Sequence, residues 1–87
     1  IDLGARGLAV GGKAVPLTPT EYAICEYLAR HPGQVMSRAQ IREAVLGWDD
    51  ADDTAISMQV SRARRKLSEA GADPIATVWG MGYKWQL

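Results

Sequence analysis

Between Thr54 and Ala70 the apolar residues Ile56, Val60, Ala63 and Leu67 recur at intervals of four, three and four. That spacing lines one face of an α-helix. At about 100° per residue, the opposite face collects Thr54, Met58, Ser61, Arg62 and Arg65, with Gln59, Arg64 and Lys66 on its flanks. A helix from about Thr54 to Ala70 therefore has one side that the rest of the chain must cover and another that is polar and cationic. Gly71 ends it.

Two earlier helices supply the cover. Thr18-Pro19-Thr20-Glu21 combines a threonine cap, a proline at the first helical position and a glutamate that completes a capping box. It predicts a helix from about Pro19 to Arg30, with Tyr22, Ile24, Cys25 and Leu28 on its apolar face and Glu21, Glu26 and Arg30 elsewhere. Pro32-Gly33 stops it. Ser37-Arg38-Ala39-Gln40 is a second capping box and opens a helix from about Arg38 to Leu46 that buries Ile41 and Val45 before Gly47. Trp48 to Asp53 then form an acidic loop, in which Asp52, Asp53 and Thr54 are all able to cap the third helix.

Strands flank the helices. Ile1–Leu3, Gly7–Val10 and Lys13–Leu17 read as a small antiparallel sheet, the last two joined through Gly11-Gly12, where both residues accept positive φ without steric cost. At the far end, Ile75 to Trp79 and Tyr83 to Leu87 form a hairpin about Gly80-Met81-Gly82. The predicted fold class is α+β: an N-terminal antiparallel sheet, a three-helix core and a C-terminal β-hairpin, the parts of a winged helix-turn-helix.

With 87 residues, of which 47% are hydrophobic and 23% charged, the chain has room for one small core and reads as a single domain that folds alone. Ile1 opens directly in strand-like sequence, which leaves room for a further strand or a whole domain before it. A lone cysteine, Cys25, excludes an internal disulfide and a four-cysteine zinc site and fits a reducing compartment, the cytoplasm. No apolar run approaches the roughly 20 residues that span a bilayer, and no export signal is visible at the start.

Formal net charge is zero, but its distribution is uneven. Residues 1–53 hold five basic groups against eight acidic ones, a net of −3, whereas residues 54–87 hold five against two, a net of +3. An oriented polyanion exploits that kind of asymmetry. A B-DNA major groove admits one α-helix, and the base edges there distinguish all four pairs. On the third helix Arg62 and Arg65 offer planar forks to guanine, Ser61 pairs with several edges, and Met58 suits a thymine methyl. Arg64, Lys66 and the helix start at Thr54 are better placed for phosphates. The bland alternative is that a cationic helix face is only a solvated surface.

Four segments carry a resemblance. Thr18–Tyr22, His31–Arg38, Val60–Leu67 and Thr77–Lys84 resemble, in order and spacing, the signature segments of OmpR/PhoB-type DNA-binding domains of response regulators, and together they cover essentially the whole chain. The resemblance implies that the third helix reads the major groove and that the hairpin, as the wing (Trp79, Gly80, Met81, Gly82 and Tyr83), reaches an adjacent minor groove. It also implies that the loop holding Trp48, Asp49, Asp50 and Asp52 faces RNA polymerase. By position, Arg62 falls on the family's base-reading arginine; Gln59, Ser61 and Arg64 fall on base- or backbone-contacting sites. Thr54 and Trp79 stand where many relatives carry arginine, Ala63 where leucine is common and Leu46 where tryptophan is frequent; Lys84 offers a phosphate contact in place of the wing arginine, and Trp48 offers to fill the volume beside Leu46. The resemblance further implies an N-terminal receiver domain phosphorylated on aspartate, tandem direct repeats as targets, and a monomer that pairs on DNA. The competing function is a winged-helix protein-interaction module with weak or no DNA affinity, favoured by the zero net charge and Thr54.

Other residues invite different chemistry. Cys25 and His31 lack a third group to complete a catalytic set, and His31 at the end of its helix suits capping. The aspartates of the acidic loop lack the spaced ligands and glycine of a calcium loop. Trp48, Trp79 and Trp85 are able to stack on bases, but packing is the commoner use of an indole. No enzyme, metal or cofactor is expected.

Overall fold

In the computed structural model, which describes residues 1–4, 7–47 and 53–86, the chain starts as a three-stranded antiparallel sheet of order β1-β2-β3: β1 (Asp2–Gly4), β2 (Gly7–Val10) and β3 (Lys13–Val15). Leu8 lies opposite both Leu3 and Val15, and the inward faces of Leu8 and Val15 reach the core. β3 ends at Val15, two residues before the expected Leu17. Pro16 has no N–H to give to a ladder, and Leu17 folds back to donate to the Val15 carbonyl at 2.8 Å.

Helix α1 (Pro19–Ala29) starts at a complete capping box: Thr18 Oγ1 accepts from the Glu21 N–H at 3.2 Å, and Glu21 Oε1 accepts from the Thr18 N–H at 2.9 Å. Arg30 is its cap, not its last helical residue. The face differs from expectation at two places. Glu21, expected off the apolar side, is 1% exposed, while Tyr22 is only half-buried and turns its hydroxyl to the Gly4 carbonyl, suturing α1 to β1. Helix α2 (Arg38–Leu46) begins at the second capping box, Ser37 with Gln40, and buries Ile41.

Helix α3 (Asp53–Glu69) begins one residue earlier and ends one residue sooner than the pattern predicts. Ile56, Val60, Ala63 and Leu67 are all buried against α1 and α2. The core they complete draws on Ile24, Cys25 and Leu28 from α1, Ile41 from α2, Leu8 and Val15 from the sheet, and Ile75 and Trp85 from the last hairpin. It is therefore shared by every layer.

The hairpin pairs β4 (Ile75–Val78) with β5 (Gly82–Trp85), so Trp79 belongs to the turn and not, as expected, to the strand. In that turn Met81 N–H donates to the Val78 carbonyl at 2.9 Å, and Gly80 takes the positive φ of 77° that the position requires. The other edge of β5 is stitched to the link between α1 and α2: Met36 and Tyr83 exchange backbone hydrogen bonds of 2.8 and 2.9 Å. Gly82 makes this approach possible. A Cβ built there would fall on the Met36 carbonyl and within 2.9 Å of the Ser37 Cα, and its φ of 145° is itself unfavourable for other residues.

Gly82→Ala should therefore cost about 3 kcal/mol, by adding a backbone overlap to a strained φ. Gly80→Ala, with open space around its Cβ position, should cost only about 1 kcal/mol. Urea denaturation of both variants checks this; equal losses would show that the approach to Met36 is unimportant.

Candidate nucleic-acid interface

The outward side of α3 is open. Thr54, Met58, Ser61, Arg62 and Arg65 are exposed, Met58 at 51%, and a shallow groove runs past Thr54, Ser57, Met58, Ser61 and Arg62. Among the described residues neither Arg62 nor Arg65 makes an ion pair. This face is the consequence of the buried stripe: once Ile56, Val60, Ala63 and Leu67 turn inward, the residues about 180° away on the wheel must turn outward.

The flanks behave differently. Gln59 is half-buried. Arg64 Nη1 donates to Thr77 Oγ1 at 2.7 Å, which ties the middle of α3 to strand β4. Lys66 corrects an expectation. Placed on the cationic flank by sequence, its Nζ instead turns inward to Glu21 Oε1 at 2.7 Å, with the carboxylate side chain only 2% exposed. Burial alone would raise the Glu21 pKa, but the hydrogen bonds from Lys66 and Thr18 outweigh it and hold the carboxyl below its ordinary value of 4.5. Lys66 is thus engaged by Glu21 across the α1–α3 contact.

Two groups escaped the sequence reading. Arg38, the first residue of α2, donates from Nη1 to Ser57 Oγ at 3.2 Å. Ser57 sits three residues beyond Thr54 and four before Ser61, so helical spacing alone could have added it to the outward face. Arg42 Nε pairs with Asp53 Oδ1 at 3.2 Å and fastens α2 to the first turn of α3. That aspartate was expected only as a candidate cap.

The wing extends the same side. A cleft between the hairpin turn and the start of α2 is lined by Ser37, Arg38, Ser57, Trp79 and Met81 among others, and it shares Ser57 with the groove along α3. Trp79 is 90% exposed and Met81 63%, whereas Trp85 is packed in the core at 5%. Packing thus accounts for Trp85 but not for Trp79. Tyr83 and Lys84 are half-buried. The loop residues Trp48, Asp49, Asp50 and Asp52 lie outside the described residues.

Cys25 offers no nucleophile. It is fully buried, and burial, with a smaller contribution from Glu21, pushes its thiol up to about 12. The His31 ring packs edge-on against Tyr27, with centroids 5.3 Å apart. Among the described residues no three of His, Cys, Asp and Glu gather as metal ligands, and no helix is long and apolar enough to cross a membrane.

A depressed carboxyl pKa stabilises the fold above the unfolded value and loses that contribution as pH falls through the folded value. Acidification below about pH 4.5 should therefore weaken the α1–α3 contact. Lys66→Met should leave Glu21 buried and unpaired, costing about 3 kcal/mol at neutral pH, with the acid-side dependence reduced. Thermal melts from pH 3 to 7 test this. An unchanged melt would return Lys66 to the solvent face.

Known proteins share this architecture. Residues 12–85 match the family described as transcriptional regulatory protein, C terminal. The chain is 44% identical over 83 residues to the transcriptional regulatory protein SpaR of Bacillus subtilis, covering 94% of this chain and 38% of that protein. Among solved structures, the C-terminal domain of the nisin resistance regulator NsrR, a lantibiotic response regulator, superposes with a TM-score of 0.85 at 35% identity over 99% of this chain and 91% of its own. The DNA-binding domain of Klebsiella pneumoniae RstA in complex with the RstA box gives 0.79 at 30% identity, over 93% and 83% respectively. The chain spans less than two fifths of the length of the curated relatives it matches.

Proposed function

The chain belongs to the transcriptional regulatory protein C-terminal family, and on that premise we propose that it binds double-stranded DNA sequence-specifically, as the effector domain of a two-component response regulator. The observation that carries this is the outward face of α3: two arginines without acidic partners among the described residues, flanked by hydroxyls and an exposed methionine, on a helix whose other side is locked into the core. The 17 residues of α3 make a rod of about 25 Å, long enough to cross a major groove about 12 Å wide.

Arg62 and Arg65 read guanine edges through their forked donors, Ser61 reads either edge, and Met58 presses on a thymine methyl. Thr54, Gln59, Arg64 and Lys84 contact the backbone and fix register. Arg64 does so from a side chain already oriented by Thr77, which lowers the entropy lost on binding. The wing, Trp79 to Tyr83, lies toward the neighbouring minor groove.

The remaining assignments concern the intact protein and rest on the resemblance to OmpR/PhoB-type regulators. A receiver domain phosphorylated on aspartate precedes this domain; the chain alone is monomeric, and two copies pair on tandem direct repeats; the loop with Trp48, Asp49, Asp50 and Asp52 meets RNA polymerase. The site of action is the cytoplasm. No catalysis is assigned.

Selection from a random duplex pool should yield a defined site, and on it Arg62→Ala should cost about 1–3 kcal/mol and relax one base position. Arg64→Ala should weaken all sequences alike. For the wild type, log K should fall with log salt by about 0.9 for each phosphate neutralised. Undiminished affinity in Arg62→Ala, or a flat salt response, would remove α3 from the groove.

A further inference from the structure

From the wing tip we infer that Trp79, with Met81 beside it, is an apolar wedge for the DNA minor groove, selecting flanking sequence by how readily the duplex opens and not by negative potential. This rests on the DNA-binding reading above and adds a specificity element to it.

An indole 90% exposed at the tip of a hairpin, next to a methionine 63% exposed, is unusual on a surface with no partner. What covers it is indicated by its surroundings. The cleft that Trp79 and Met81 line meets the α3 groove at Ser57, so the tip and the base-reading face form one continuous side of the molecule. Arg38 stands in the same cleft, its guanidinium hydrogen-bonded to Ser57. It supplies positive charge beside the apolar tip, as a site bounded by phosphates and sugars requires.

The tip is also held rigidly. Arg64–Thr77 fastens β4 to α3, and the Met36–Tyr83 exchange fastens β5 to the α1–α2 link. A clamped hairpin enters a groove with little ordering cost.

Its chemistry sets the preference. From Ile75 to Tyr83 the hairpin carries no Asp, Glu, Lys, Arg or His. A narrow A-tract minor groove attracts inserted cations, and this tip has none to offer. Apolar side chains instead act between base steps, where they partly unstack the duplex, and pyrimidine–purine steps yield most easily. The wedge therefore favours TA or CA/TG steps under the wing.

The test uses this chain and duplexes carrying one copy of its selected major-groove site, flanked under the wing either by a TA-containing segment or by an A-tract, with 2-aminopurine at the flanking step. The wild type should bind the TA flank about fivefold more tightly and brighten the probe. Trp79→Ala should lose about tenfold on that flank and bind both flanks alike; Trp79→Arg should turn the preference toward the A-tract. Because Trp79 is almost fully exposed, the variants should keep the wild-type melting curve. A wild-type preference for the A-tract overturns the proposal. So does a Trp79→Ala variant that binds single sites normally, including one weakened only on tandem sites, where the tip would be covering a second copy. Arg62→Ala on the same duplexes separates the two readings. If its affinity is unchanged the assignment of α3 fails, while the flank preference still judges the wing; no binding of the wild type to either duplex overturns both.

Discussion

One carboxylate oxygen sets the rotation of α3 and with it which residues face solvent. Glu21 Oε1 accepts the Thr18 N–H at the start of α1 and the Lys66 ammonium from the last turn of α3. A charge with a side chain 2% exposed is tolerable only when paired and hydrogen-bonded, because desolvation otherwise costs several kcal/mol. The capping of the first helix and the rotation of the third are thereby one structural decision. If α3 turned about its axis, Lys66 would leave Glu21, and Arg62 and Arg65 would leave the open side.

That arrangement also selects which cations a chain of zero net charge leaves toward solvent on α3. Two acidic groups are consumed internally, Glu21 by Lys66 and Asp53 by Arg42, and a third, Glu26, pairs along its own helix with Arg30. Arg62 and Arg65 are left toward solvent. Net charge describes solubility and long-range attraction; the local pairing decides which cations remain available to a polyanion.

Local signals were the legible part of this fold. Both capping boxes, the α3 stripe and the two-glycine turn depend on residues a few positions apart, and the capping bonds, the buried face and the positive φ angles they predict are present. Non-local packing was not legible. A wheel places Glu21 and Lys66 at the polar rims of their own helices; only the α1–α3 contact, across 45 positions of sequence, buries one against the other. Nor does composition separate Trp79 from Trp85. Strand alternation and the turn decide that one indole fills the core and the other meets solvent. The bonds between Met36 and Tyr83 likewise join segments with no local pattern in common.

The division of labour along α3 decides which of its positions are free to vary. Thr54, Met58, Ser61, Arg62 and Arg65 carry no packing duty, so substitution among them alters the outward face of α3 at little thermodynamic risk. Lys66 has no such freedom, being bound to a glutamate on another helix. A third helix transplanted from a relative would thus keep the host fold only if it brought a lysine to that place, or if the host surrendered Glu21 along with it.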